Sequence, residues 1–231
     1  MKKEKNEINK SDNLEIKKDK TEKSINKKFV LAGIILIIFI IYTILVKLNV
    51  LSKLDTTVES FIIGIRNDSL TNFMSTITNL GGAYFLISMT IVIGLIAIIK
   101  NKALPINTMI NLTCIFLLNE LAKQIIRRPR PTGLFLTDAT GFSYPSGHTI
   151  VSYVFYTFIG ISLCEKIKSK PLKIFIRIIT LVIPITIAFS RIYLGVHYIT
   201  DVIGGYLLGS AYLIIFLYLR DKHIKKIRGN K

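Results

Sequence analysis

Three polar clusters interrupt the otherwise apolar second half of the sequence. The first is Lys123-Gln-Ile-Ile-Arg127-Arg128-Pro129-Arg130-Pro131. The second is Pro145-Ser146-Gly147-His148. The third opens at Ser190-Arg191 and continues to His197 and Asp201. Several fixed cations beside two histidines and a carboxylate describe a site for phosphoryl transfer. Lys and Arg neutralise an anion, and a guanidinium holds two oxygens at once. Ser146 and Gly147 stand where an apolar block begins. A helix N-terminus there offers backbone N–H groups, and glycine lets a phosphate approach closely. His197 and Asp201 are four residues apart, which on a helix puts them on one face within hydrogen-bond reach. Asp201 then holds one imidazole nitrogen and fixes the tautomer, leaving the other free to attack phosphorus. His148 comes from a different segment and can protonate the departing oxygen as general acid. A phosphohistidine forms, and water hydrolyses it.

The elements that position these clusters are membrane spans. Of 231 residues, 51% are hydrophobic, and mean hydropathy is +0.50. The apolar residues fall in blocks near the roughly 20 residues a spanning helix needs. Six spans are expected, at about 29–46, 83–99, 103–122, 147–164, 174–190 and 199–219. The fold class is therefore all-α, an integral membrane bundle of six transmembrane helices. Between the first two spans, Leu54 to Leu80 differs. Val58, Phe61, Ile62 and Ile65 share one helical face, as do Leu70, Phe73, Met74 and Ile77, while charged and amide side chains interrupt the apolarity. These segments read as short amphipathic helices at the interface or packed on the bundle. Pro129 and Pro131 stop the third span.

Three regions follow: a basic, disordered cytoplasmic tail over 1–28, a six-span domain over 29–219, and a basic cytoplasmic tail over 220–231. With the N-terminus inside, 23 of the 31 Lys and Arg fall on the inner side. The positive-inside rule favours that orientation, with both termini cytoplasmic. The net charge of +17 thus belongs to a membrane face and its anionic lipids rather than to a nucleic-acid partner. The exceptions cluster in two outer loops, and all three polar clusters sit at the same outer face. The site accordingly faces the extracytoplasmic side of the cell membrane. Cys114 and Cys164 lie in apolar blocks without metal-site or disulfide-framework spacing. Glu120, Arg127, Arg128 and Asp138 are recommended only by proximity. His223, at the opposite face, receives no role. Gly205 and Gly209 form a small-xxx-small pair suited to helix packing.

The three clusters resemble the signature of the type 2 phosphatidic acid phosphatase superfamily: Lys-x6-Arg-Pro, Pro-Ser-Gly-His and Ser-Arg-x5-His-x3-Asp. Every signature position is matched between Lys123 and Asp201. The resemblance implies an all-helical membrane fold and hydrolysis of a phosphomonoester or diphosphate without metal or other cofactor. It implies Lys123, Arg130 and Arg191 as phosphate ligands beside Ser146 and Gly147. It implies His197 as nucleophile, Asp201 as its partner and His148 as acid. The expected partners are the bilayer and a lipid phosphate or diphosphate, with no nucleic acid; oligomeric state is left open. Bacterial relatives of this size act on undecaprenyl diphosphate, phosphatidylglycerol phosphate or phosphatidic acid. The first expectation is undecaprenyl diphosphate, because the site faces the side on which that carrier is released. The alternatives are the other two lipids, lipid phosphotransfer, a vanadate haloperoxidase and a non-enzymatic lipid-binding or transport protein.

Overall fold

In hydrocarbon a backbone N–H can bond only within the protein, so long apolar runs fold as helices. A computed structural model describes residues 27–97, 103–133 and 135–229. Among these residues the ordered elements are helical: α1 Lys27–Lys47, α2 Ser52–Gly64, α3 Asp68–Thr78, a 3-10 turn Asn79–Gly81, α4 Ala83–Ala97, α5 Ala103–Ile126, α6 Gly147–Cys164, α7 Lys170–Tyr193 and α8 Ile199–Gly229. Helices α1, α5, α6, α7 and α8 are long and apolar enough to cross a membrane. Helix α3 with its turn and α4 together make a sixth candidate, bent by 53° at Gly82, in the manner of a broken span or a re-entrant pair. The second expected span begins with α4, and the amphipathic α3 leads into it through the 3-10 turn. Its last two residues, 98 and 99, lie outside the described residues, as does the expected polar tail up to residue 26.

Two further boundaries differ from expectation. Helix α5 runs to Ile126 and stops where Arg127 takes a left-handed conformation, φ 53, ahead of Pro129. Helix α8 continues to Gly229, ten residues past its expected end. Arg220 accounts for the start of that extension. Its guanidinium is buried and bonds Glu165 at 2.6 Å, Asp221 at 2.7 Å and the Ser162 hydroxyl at 3.3 Å.

The amphipathic segments sit on the bundle. Ile62 of α2 and Met74 of α3 are buried with Ala188, Ile192 and Tyr193 of α7 and Val202 of α8. Phe61 and Phe73, on the same expected faces, point away from the protein and are exposed, which suits side chains facing lipid. The central core is built on α6, with Ile150, Val154, Phe155 and Phe158 packed among Leu86, Ile115, Ile187 and Leu208. Helix α6 is therefore surrounded by protein, and its first turn is held at the end where the polar clusters meet.

Candidate active site

The turn after α7 delivers the third cluster. Gly195 lies at φ 78, in the region side chains disfavour, and its N–H bonds the Ile192 carbonyl at 3.0 Å. The chain reverses there, and α8 begins at Ile199. His197 therefore sits in the connection, not on a helix, and the shared helical face expected from the four-residue spacing does not exist. The pairing forms by another route. Asp201 lies in the first turn of α8, and its Oδ2 accepts the Tyr198 N–H at 2.9 Å, as a capping carboxylate does. The same oxygen is 3.3 Å from His197 Nδ1.

His197 is 4% exposed and Asp201 fully buried. Burial holds the imidazole down at about 4; Asp201 opposes that shift, while Arg130 and Arg191 reinforce it. His197 is thus neutral at ordinary pH. The tautomer that donates Nδ1–H to Asp201 leaves Nε2 with its lone pair, 3.2 Å from Arg130 Nη1. A neutral imidazole nitrogen beside a cation has the chemistry a nucleophile toward phosphorus needs.

Two of the three cations around it, Arg130 and Arg191, are held by neutral groups. Arg130 donates to the carbonyls of Thr140 at 2.7 Å, Val196 at 2.9 Å and Gly141 at 3.1 Å. Arg191, in the last turn of α7, is 4% exposed. Its Nη1 donates to the Thr78 hydroxyl at 2.8 Å, and its buried Nε has no partner. Lys123 Nζ, in the last turn of α5, is 3.4 Å from Glu120. A Cβ on Gly147 would stand 3.4 Å from Lys123 Nζ and 3.2 Å from Asn119 Nδ2. Glycine keeps open the space between that cation and the start of α6.

Ser146 precedes α6 and is fully buried. Its N–H donates to the Asp201 carbonyl at 3.1 Å, which ties the second cluster to the third. Its Oγ accepts from the Thr149 hydroxyl at 2.9 Å. The first bond inside α6 runs from the Ile150 N–H to the Ser146 carbonyl, so the Gly147 and His148 N–H groups lie ahead of the helical ladder. A Cβ on Gly81 would stand 3.4 Å from the His148 ring. The charges of Arg191, Lys123 and Arg130, with His197, all act on His148. The eight expected residues thus gather at one end of the bundle, where three cations, two imidazoles and one helix N-terminus come close together.

Sequence reasoning missed a second layer. Arg128 bonds both Asp201 and Asp55, and Thr200 bonds Asp55. Asp55 carried a legible signal: seven residues before Ile62 and three before Val58, it lies on the apolar face of α2. A carboxylate there needs a buried partner.

The model of the PAP2 superfamily matches residues 81–225. The chain is 32% identical over 198 residues to phosphatidylglycerophosphatase B of Bacillus subtilis, covering 82% of this chain and 94% of that one. It is 27% identical over 186 residues to an undecaprenyl-diphosphatase of Sulfolobus acidocaldarius, covering 77% and 85%. The crystal structure of the PAP2-type phosphatidylglycerolphosphate phosphatase from Bacillus subtilis superposes with a TM-score of 0.76 at 28% identity, over 83% of this chain and 96% of that one. That of Aquifex aeolicus LpxE gives 0.57 at 27% identity, over 71% and 95%.

Proposed function

The chain belongs to the PAP2 superfamily and is a multi-pass membrane lipid phosphatase; on that premise we propose that it hydrolyses a lipid phosphomonoester of the phosphatidylglycerophosphate type through a phosphohistidine at His197. The observation that carries this reading is the state of His197: neutral, buried, braced at Nδ1 by Asp201, with Nε2 turned toward Arg130. Nε2 attacks phosphorus as the bond from phosphorus to the lipid oxygen breaks. His148 gives its proton to that oxygen, and the lipid alcohol departs. His148 then takes a proton from water, which attacks the phosphohistidine and releases inorganic phosphate. Lys123, Arg130, Arg191 and the N–H groups at Gly147 and His148 hold the phosphoryl oxygens and supply the positive charge a metal provides elsewhere.

A groove of about 250 Å³, lined by Ala83, Leu86, Ile87, Leu112, Phe116 and Val151, supports this direction of departure. Val151 is one helical turn from His148, and Ala83 is two residues from Gly81, which packs on the His148 ring. An acyl chain fits there on the leaving-group side. The phosphatidylglycerophosphatase likeness is the stronger in both identity and extent, so it displaces undecaprenyl diphosphate as the first expectation. The diphosphate is the second reading, favoured by the 27% relative.

The deciding experiment is phosphate release by the purified full chain from phosphatidylglycerophosphate, phosphatidic acid and undecaprenyl diphosphate in detergent, with EDTA present. Fastest turnover of phosphatidylglycerophosphate supports the proposal. A preference for the diphosphate, or activity that returns only on adding magnesium, overturns it. The proposed orientation has both termini in the cytoplasm and the site outside, on the 23-of-31 distribution of Lys and Arg. Phe135→Cys should react with an impermeant thiol reagent on intact cells, in a background lacking the native cysteines. Labelling of Lys225→Cys from outside would reverse the topology.

A further inference from the structure

Asp55 is a carboxylate on the inward face of an interfacial helix, only 3% exposed. Its Oδ1 accepts the Thr200 N–H at 3.1 Å and the Thr200 hydroxyl at 2.8 Å. Its Oδ2 accepts Arg128 Nη2 at 2.6 Å. The other arm of the same guanidinium, Nη1, donates to Asp201 Oδ1 at 2.5 Å and to the Thr200 hydroxyl at 2.7 Å. Its plane lies over the Tyr198 ring, 4.2 Å from the centroid. Arg128 is thus clamped between two buried carboxylates, one on α2 and one that touches the nucleophile. An arginine so saturated has little charge to offer a phosphate. Its fork instead fixes where the Asp201 carboxylate points, and Asp201 keeps its second oxygen for His197 and the Tyr198 N–H.

We propose that Asp55 and Arg128 are positioning residues for phosphoryl transfer: through Arg128, helix α2 holds the Asp201 carboxylate against His197 and moderates the pull of that carboxylate on the imidazole. This inference rests on His197 being the nucleophile. Arg128 places a positive charge against Asp201, so part of the carboxylate's field never reaches the ring. Removing Arg128 returns that field and favours the imidazolium, which cannot attack. Removing the Asp55 charge leaves Arg128 directed at Asp201 alone, with the opposite electrostatic sign. The other groups facing His197 stay in place in both variants: Arg130 in the loop, Arg191 on α7, His148 on α6, Asp201 on α8 and Glu59 on α2.

The test is steady-state kinetics of the purified full chain on short-chain phosphatidic acid in detergent micelles, across pH. Arg128→Gln should lower kcat about 10- to 100-fold while KM moves less than about threefold, and the acid limb of kcat/KM should move to higher pH. Arg128→Lys keeps the charge but not the fork, so kcat should recover partly and the limb should stay near that of the parent. Asp55→Asn should lower kcat more mildly and leave the limb at or below the parent's. The double variant should cost less than the product of the two single losses. A rise in KM with kcat unchanged would make Arg128 a phosphate ligand and overturn the proposal. So would equal losses of kcat with an unmoved limb in all three single variants, the mark of a scaffold. If Arg128→Gln is not recovered folded, Asp55→Asn decides: loss of kcat at constant KM supports the proposal, and full activity overturns it. His197→Ala is the control for the premise. Phosphoenzyme in that variant removes the nucleophile assignment, whereas its absence together with a fully active Arg128→Gln removes only this inference.

Discussion

The two ends of the bundle both bury arginine, and they treat it oppositely. At the end of α6 and α8 remote from the site, Arg220 bonds Glu165 and Asp221, donates to the Ser162 hydroxyl, and lies 5.7 Å from the Phe158 ring centroid. Its charge is matched and its donors are taken. At the catalytic end, Arg130 is held by carbonyls and Arg191 by one threonine hydroxyl, and among the described residues neither has a carboxylate within ion-pair distance. Burying an unpaired cation is costly, and a protein retains such an arrangement where an anion completes it. On the proposed function, the contrast separates arginines that build the fold from arginines open to a phosphate. It also sorts the catalytic end itself, because Arg128 is saturated by carboxylates as Arg220 is.

The largest effect should come from the group the open cations surround. His197→Ala removes the nucleophile, and kcat should fall by about 10⁴-fold or more. Rapid-quench trapping with labelled substrate should find no phosphoenzyme; label on histidine in this variant, but none in His148→Ala, would reverse the two roles. His148→Ala comes next. It should cost about 10²- to 10⁴-fold on a monophosphate, where an alkoxide needs a proton to leave. The loss should be smaller on a diphosphate, whose leaving phosphate needs less help. Equal losses on both substrates would remove His148 from the leaving-group side.

Arg191→Ala tests the open cations directly. A loss of about 10²- to 10³-fold in kcat/KM is expected, felt in KM as well as kcat because its charge meets the bound phosphate and the transition state alike. A variant with unchanged kinetics and lowered melting temperature would place Arg191 with Arg220. The pH profile gives a subtler reading. His197 must be neutral to attack, and burial holds it at about 4. The acid limb of kcat/KM should therefore fall well below the ordinary imidazole value of about 6.5, with activity lost only as pH drops through that lower range. A limb at or above 6.5 contradicts a desolvated nucleophile. Arg220→Met should be the mildest change. Activity per folded molecule should hold within about twofold, and stability should fall by about 1 kcal/mol or less, since both carboxylate partners are largely exposed and screened.

The composition and order of residues determined the membrane class and the helical fold, and they singled out the residues of the proposed site. Continuous apolar blocks of about 20 residues select the helix over the alternating strands of a barrel, and three clusters of phosphate-binding residue types recur at the ends of those blocks. Local spacing was less sure. His197 and Asp201 meet through a glycine-ended turn and a capping carboxylate rather than along a helix. Nor does spacing give the 53° bend by which the amphipathic α3 leads into α4. What only the tertiary structure decided is which charges are spent and which are open. Arg128 and Arg130 are two residues apart, equal in type and indistinguishable by hydropathy. One meets carboxylates 73 residues away in both directions along the chain, and the other meets carbonyls and His197. The charge an arginine can offer a ligand depends on which acceptors reach it in space, and those acceptors come from helices that sequence spacing alone does not bring together.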